Sequence, residues 1–305
     1  MFRATPKKSK PAAPAETVSP SWLVKAITLV LFAAALCTWL TLCLLFYRGQ
    51  WLIVLHPVHS KAAPVPSSDT VRFGPDESAT PQLAGIWLPA GPGARYAVTT
   101  ILFLPAGDGS LSNSNATIEA LHQIGLNVLA FDYRGYGLSA NTNPNQQKMT
   151  QDAESAWRYL TATRGIAPGN IIPYGTGVGA SLAAQLALNH PETPAIILDS
   201  PYTDLLEVAR HDPRTSLVPL RLLFHEDFPL AAPLSTLHTP KLLIATVNKP
   251  SAAFGTAATP KMIVELNAIP GSQYEEAVTR FLDQYVSRSA APLVPTQAPS
   301  ATNRR

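Results

Sequence analysis

Ile171-Ile172-Pro173-Tyr174-Gly175-Thr176-Gly177-Val178-Gly179-Ala180-Ser181 is the stretch from which the fold is read. The short apolar run Ile171–Tyr174 has the length of a buried strand, and Gly179–Asn189 has the spacing of a helix rich in Ala and Leu. Three glycines on alternate positions join them, so the chain turns from strand to helix in the least possible space. Outward from this unit the same alternation continues. Strands are expected at Leu83–Leu88, Thr99–Leu104, Asn127–Asp132, Ala195–Leu198, Lys241–Ala245 and Met262–Leu266, with the orientation of the first two left open. Helices are expected at Asn113–Ile124, Met149–Thr163 and Tyr274–Val286, the last with Ala277, Phe281, Leu282 and Tyr285 as its apolar stripe. Strands alternating with helices imply an α/β protein with a mostly parallel, doubly wound sheet. The proline-punctuated stretch 205–237 breaks the alternation and reads as a cap inserted over the sheet's end.

Three segments give this layout a family likeness. Phe131-Asp132-Tyr133-Arg134-Gly135-Tyr136-Gly137-Leu138-Ser139 follows a strand, Tyr174–Gly179 stands at a strand-to-helix turn, and Ile197-Leu198-Asp199-Ser200-Pro201-Tyr202-Thr203-Asp204 follows the next strand. Together they resemble the α/β-hydrolase fold in its serine-aminopeptidase-like form, including the membrane-anchored Bem46-like members. The resemblance implies a nucleophile elbow at Tyr174–Gly179, an acid after the strand Lys241–Ala245, a histidine after the last strand, and an oxyanion loop after Thr99–Leu104.

A serine hydrolase of this fold needs a hydroxyl, a carboxylate and an imidazole in that chain order. The elbow centre is Gly177, which has no nucleophile; Thr176 beside it points its hydroxyl elsewhere. The acid position holds Lys249, or Asn248 in a shifted register, and the histidine position holds Tyr274 or Gln273. None of the seven histidines follows His238, so an imidazole in family order is absent. Where the family has a His-Gly oxyanion segment, this chain has Leu104-Pro105-Ala106-Gly107. What survives is the turn itself: Gly175, Gly177 and Gly179 either serve close packing alone or, with the Val178 N–H at the helix start, hold a small acyl or anionic ligand. The resulting expectation is a pseudoenzyme with a binding or scaffolding role. The alternative is an active esterase or peptidase with relocated groups, drawn from Ser181 or Ser200 as nucleophile, His190, His211 or His225 as base, and Asp199 or Asp204 as acid. A third possibility is a tether presenting an apolar face to a protein partner.

Other conspicuous residues have structural readings. Asp132 and Arg134 are expected to tie down the loop after their strand, and Asp152 and Glu154 to favour a helix start. His225-Glu226-Asp227 has no metal-site spacing, and no metal or other cofactor is expected. Asn115-Ala116-Thr117 is a formal glycosylation sequon.

Ala26–Tyr47 is a run of 22 residues without a charge. As a helix it spans ~33 Å, enough to cross a bilayer core of ~30 Å. Trp22, Tyr47 and Trp51 lie near its ends, and Trp39, inside it, is expected to face lipid or another helix. Arg3, Lys7, Lys8, Lys10 and Lys25 precede the run against Arg48 and Lys61 beyond it, which places the N-terminus in the cytoplasm and the large domain in periplasm, lumen or cell exterior. The divisions are then a tail over 1–25, the span 26–47, a linker over 48–70, the domain 71–288 and a Pro- and Ser-rich tail over 289–305. On that division residues up to Gln50 are dispensable for folding. The formal charge of +3 sits largely in the first ten residues, which argues against nucleic acid as a partner. Cys37 and Cys43 both lie inside the apolar run, so the domain has no thiol for a disulfide or zinc site.

Overall fold

One eight-stranded sheet organises the chain, with β1 Asp69–Phe73, β2 Leu83–Leu88, β3 Thr100–Leu104, β4 Asn127–Asp132, β5 Ile171–Thr176, β6 Ile196–Asp199, β7 Lys241–Thr246 and β8 Lys261–Leu266 in the spatial order β1-β2-β4-β3-β5-β6-β7-β8. The computed structural model describes residues 19–59, 69–75, 80–202, 205–246 and 251–286. β2 runs antiparallel to both β1 and β4, and the other pairs are parallel. Strands β3 to β7 are buried along almost their whole length. That is why they read as continuous apolar runs: both faces of a parallel sheet are covered by helices.

The helices are α1 Pro20–Gly49, α2 Trp51–Val54, α3 Asn115–Gln123, α4 Gln146–Arg158, α5 Gly179–Asn189, α6 Leu205–His211, α7 Leu220–Leu223, α8 Ala231–Thr236, α9 Ala252–Thr256 and α10 Ser272–Tyr285. Met149, Ala156 and Trp157 of α4 and Leu182 and Leu186 of α5 pack on one face of the sheet. On the other face, Ile118 and Leu121 of α3 share one buried cluster with Tyr274, Val278 and Phe281 of α10. The seven expected strands are β2 to β8, each end within two residues of its expected place. The short edge strand β1 has no counterpart in the sequence reading, because five residues alternating between solvent and core carry little pattern. The expected cap is α6, α7 and α8 with their connections.

The segment 48–70 is not a simple linker. Ile53, Val54 and Leu55 enter the core, and the backbone then runs between two loops, His56 N–H donating to Gly107 O at 3.1 Å and Gly137 N–H to Val58 O at 2.8 Å. Gln50 is buried, and its amide joins the end of α1 to the cap: Nε2 donates to Leu223 O at 3.2 Å and Oε1 accepts from His225 N–H at 2.8 Å. Phe46 and Gln50, which the sequence reading left outside the domain, are thus packed against it.

Ser19 caps α1, its hydroxyl accepting from Trp22 N–H, with Pro20 at the first helical position where the missing N–H has no partner to lose. α1 is long and apolar enough to cross a membrane, and Phe46 is its one buried residue. Trp39 faces the cap, its indole Nε1 donating to Leu217 O at 2.9 Å.

Candidate functional site

β5 ends at Thr176, and Gly177 follows with φ of +55°, in the left-handed region that glycine takes without penalty. Packing forbids more than glycine here. A Cβ on Gly177 would stand 2.7 Å from Ala106 Cβ and 3.1 Å from Ala106 O, so the loop after β3 fills the space that an elbow side chain would need. The Val178 N–H, the donor that would face an oxyanion, is directed at Ala106 O at 3.3 Å. The anion-holding role expected of Val178 is thus not what this geometry provides. Gly175 and Gly179 serve close packing: a Cβ on Gly175 would run into the Gly179 carbonyl, and one on Gly179 into the carbonyls of Leu104 and Pro105.

The loop is pinned onto the elbow from the side of β4. Tyr133 Oη donates to Pro105 O at 3.3 Å and Tyr136 Oη to Gly107 O at 2.9 Å, both rings fully buried. Asp132 accepts from Leu111 N–H at 2.7 Å. Arg134 pairs with Asp152, Nε to Oδ1 at 2.6 Å, and not with Asp132. Asp152 accordingly serves that ion pair from the middle of α4, where no helix start lies. Burial raises its carboxyl to about 6 against the lowering pull of Arg134.

The structure does not assemble the relocated triad. Ser181 Oγ donates to Pro229 O at 2.7 Å, and Ser200 Oγ lies 3.2 Å from Thr246 Oγ1. His190 pairs with Glu154 and stacks on Trp157, His211 meets Glu207 O, and His225 lies against Gln50 and the Tyr47 ring. Among the described residues no serine hydroxyl is hydrogen-bonded to a histidine. Glu226 Oε2 accepts Gln146 N–H at the start of α4, at 2.6 Å. Asn248, Lys249, Thr203 and Asp204 lie outside the described residues, and Gln273 is exposed.

Tyr274 is buried in the core behind the sheet edge. Its hydroxyl donates to Tyr174 Oη at 3.1 Å, which donates to Asp199 Oδ2 at 2.8 Å. Asp199 closes β6 and is only 4% exposed, and its Oδ1 has no hydrogen-bond partner among the described residues. Burial raises its carboxyl, while Tyr174 and Ser200 act to lower it. Ser200, next in the chain, has φ of +43°, a conformation uncommon for a residue with a side chain. Asp199, Ser200 and Thr246 line a cavity of about 350 Å³ at the carboxyl ends of the strands, with Thr176, Asp108 and Asn113 around them. Tyr202 Oη donates to Asp108 Oδ2 at 3.0 Å and also borders a second, more apolar hollow of about 570 Å³ under the cap. The sequence signal for this site was an aspartate closing an otherwise wholly apolar strand, Ile196-Ile197-Leu198-Asp199.

Known proteins share this architecture. The sequence model of the family described as Serine aminopeptidase, S33 matches residues 99–264, more than half of the chain. An uncharacterised protein of Mycobacterium tuberculosis is 36% identical over 190 residues, which are 60% of this chain and 65% of that protein. The human alpha/beta hydrolase domain-containing protein 17B is 30% identical over 164 residues, 53% of each chain. The matched region thus spans less than two thirds of the length of these relatives. An esterase of Pyrococcus furiosus superposes with a TM-score of 0.59 at 17% identity, covering 77% of this chain and 98% of the esterase. An alpha-beta hydrolase of Vibrio vulnificus gives 0.54 at 23% identity, covering 72% and 79%. The chain belongs to the serine aminopeptidase S33 family of α/β hydrolases.

Proposed function

We propose that this α/β-hydrolase family member is a membrane-anchored, non-hydrolytic protein whose cleft binds a small ligand rich in hydrogen-bond donors. The observation that carries the reading is the seat of Ala106 on the elbow, which takes both the space of a nucleophile and the Val178 N–H. Acyl transfer in this fold needs a raised nucleophile and a free oxyanion donor; in characterised serine enzymes loss of the first costs ~10⁶ in turnover and loss of one donor ~10²–10³. The cleft remains open beside the elbow, but its polarity is that of an acceptor. Asp199 and Asp108 disfavour the acyl-carboxylate or other anion that the turn alone suggests, and suit hydroxyl or ammonium groups. The apolar hollow across Tyr202 suits an attached hydrocarbon portion. Anchoring rests on the length and apolarity of α1 and on the positive charge before it.

The test is to treat the detergent-solubilised full-length protein with a broad serine-reactive phosphonate and analyse it by intact mass. We expect no adduct. An adduct mapped to Ser181 or Ser200 would establish a working nucleophile and end the non-hydrolytic reading.

A further inference from the structure

We infer that the tip of the cap, residues 216–223, is immersed in the lipid leaflet on the domain's side of the membrane, with phospholipid acyl chains filling the groove between it and α1. The inference rests on reading α1 as a membrane span.

Depth is the first argument. Trp39 stands ten residues before Gly49, the last residue of α1, and is therefore ~15 Å back along the helix axis from the domain end. Its indole holds Leu217 O at that level. Between the two points α1 presents Leu40, Leu42, Leu44 and Leu45 outward, all exposed. If lipid covers that belt, the same lipid meets Leu217.

The surface of the tip agrees with this placement. Leu217 is 68% and Leu222 81% exposed, although each is a large apolar side chain with no cover from the domain. The one charge between Ser216 and Leu223 is Arg221, whose long stem can carry its guanidinium outward to a phosphate. Arg48 at the domain end of α1 has a similar opportunity, and neither arginine forms an ion pair among the described residues. Basic groups at that height complement the phosphates of a leaflet.

Backbone chemistry is the third argument. Polar groups of a chain entering hydrocarbon must be satisfied within the protein. Ser216 N–H donates to Pro213 O, Val218 to Thr215 O, Leu222 and Leu223 to Pro219 O, and Phe224 to Leu220 O. Pro219 has no N–H to satisfy, and the Leu217 carbonyl is taken by Trp39. The N–H groups of Leu217 and Arg221 have no acceptor among the described residues, so the closure covers most of the tip and not all of it.

Between tip and helix runs a groove of about 360 Å³ lined mainly by Leu42, Phe46, Leu52, Ile53, Leu217 and Val218, and also by Arg214, which pairs with Asp212. One wall is α1 itself, so chains packed along the span abut the groove. A soluble partner would have to pass the headgroups to reach it.

The test uses the full chain with Cys37→Ser and Cys43→Ser, carrying one cysteine labelled with an environment-sensitive nitrobenzoxadiazole dye, reconstituted in phosphatidylcholine vesicles with or without lipids nitroxide-labelled on the acyl chain. Labels go at Leu217→Cys, Leu222→Cys, Leu29→Cys within the span, and Glu276→Cys on exposed α10. The two cap labels should emit to the blue of the Glu276 label and lose most of their emission to the nitroxide, as the Leu29 label does. Water-like emission at both cap positions with Leu29 quenched would overturn the inference and leave the span standing. Blue but unquenched emission at the cap would point to protein cover and overturn it equally. Lack of quenching at Leu29 would remove the span and the inference together.

Discussion

Gly177→Ser tests the elbow at the residue scale. The new side chain meets Ala106 Cβ at 2.7 Å and must hold φ of +55°. The backbone conformation costs ~1–2 kcal/mol for a non-glycine residue and overpacking adds ~1–3 kcal/mol. We expect a destabilisation of ~2–5 kcal/mol in denaturant unfolding and no turnover of a small activated ester. Adding Ala106→Gly should recover about a third to a half of the loss, because the contact with Ala106 Cβ is relieved while those with its backbone remain. A double variant no more stable than the single one would show that the loop does not occupy the elbow as described. Asp199 gives a second prediction. Its carboxyl is raised by burial, so the stability it contributes is complete below the unfolded carboxylate range near ~4 and is lost as pH rises through the folded value. Asp199→Asn keeps an acceptor for Tyr174 and does not titrate. The variant should therefore gain on the wild type in melting temperature as pH rises above about 4 and show no such gain below it. A difference that stays constant with pH would contradict the raised carboxyl.

Elements are joined by buried polar residues as much as by apolar packing. Lys241 opens β7 with no exposed surface, and its Nζ donates to Leu237 O at 2.8 Å, Ala258 O at 2.9 Å and Pro260 O at 3.3 Å. One ammonium thus ties the end of the cap and the segment after α9 to the start of β7, next to the sheet's edge. Lys241→Met keeps the length of the side chain and removes the donor. Leaving buried carbonyls unpaired costs ~1–3 kcal/mol each, less where water enters. We expect a total loss of ~2–4 kcal/mol, with faster proteolysis near 237–260 than elsewhere, measured by limited digestion. A variant as stable as the parent and cut no faster there would show the ammonium to be solvated.

On the scale of the whole molecule, α1 and the domain are one body where α1 meets the cap. A chain beginning at Thr41 keeps Phe46 and Gln50, and one beginning at Trp51 loses both. The buried part of Phe46 and the amide bonds of Gln50 together are worth about 2–3 kcal/mol. In detergent the shorter protein should melt several degrees lower and lose the protection of the cap to protease. Equal melting temperatures would restore the view that residues before Trp51 only tether the domain.

The alternation of strands and helices, the glycine turn and the loss of a histidine in family order were all legible in the residues, because each depends on local periodicity or on simple presence in the chain. That the sheet is mostly parallel followed from the same pattern, since parallel strands need helical crossovers of recognisable length, whereas the strand order and the antiparallel edge of β1 and β2 came from the assembled sheet. Tertiary structure alone decided the rest. Ala106 and Gly177 are 71 positions apart in the sequence, and nothing local says that one fills the other's space. Gln50 and Phe46 read as the end of a span, yet they are core, because burial depends on what the cap brings against them. Asp199 gained its importance in the same way: its tyrosine chain and the cavity at its tip come from β5, β7 and α10, which meet only when the sheet is assembled.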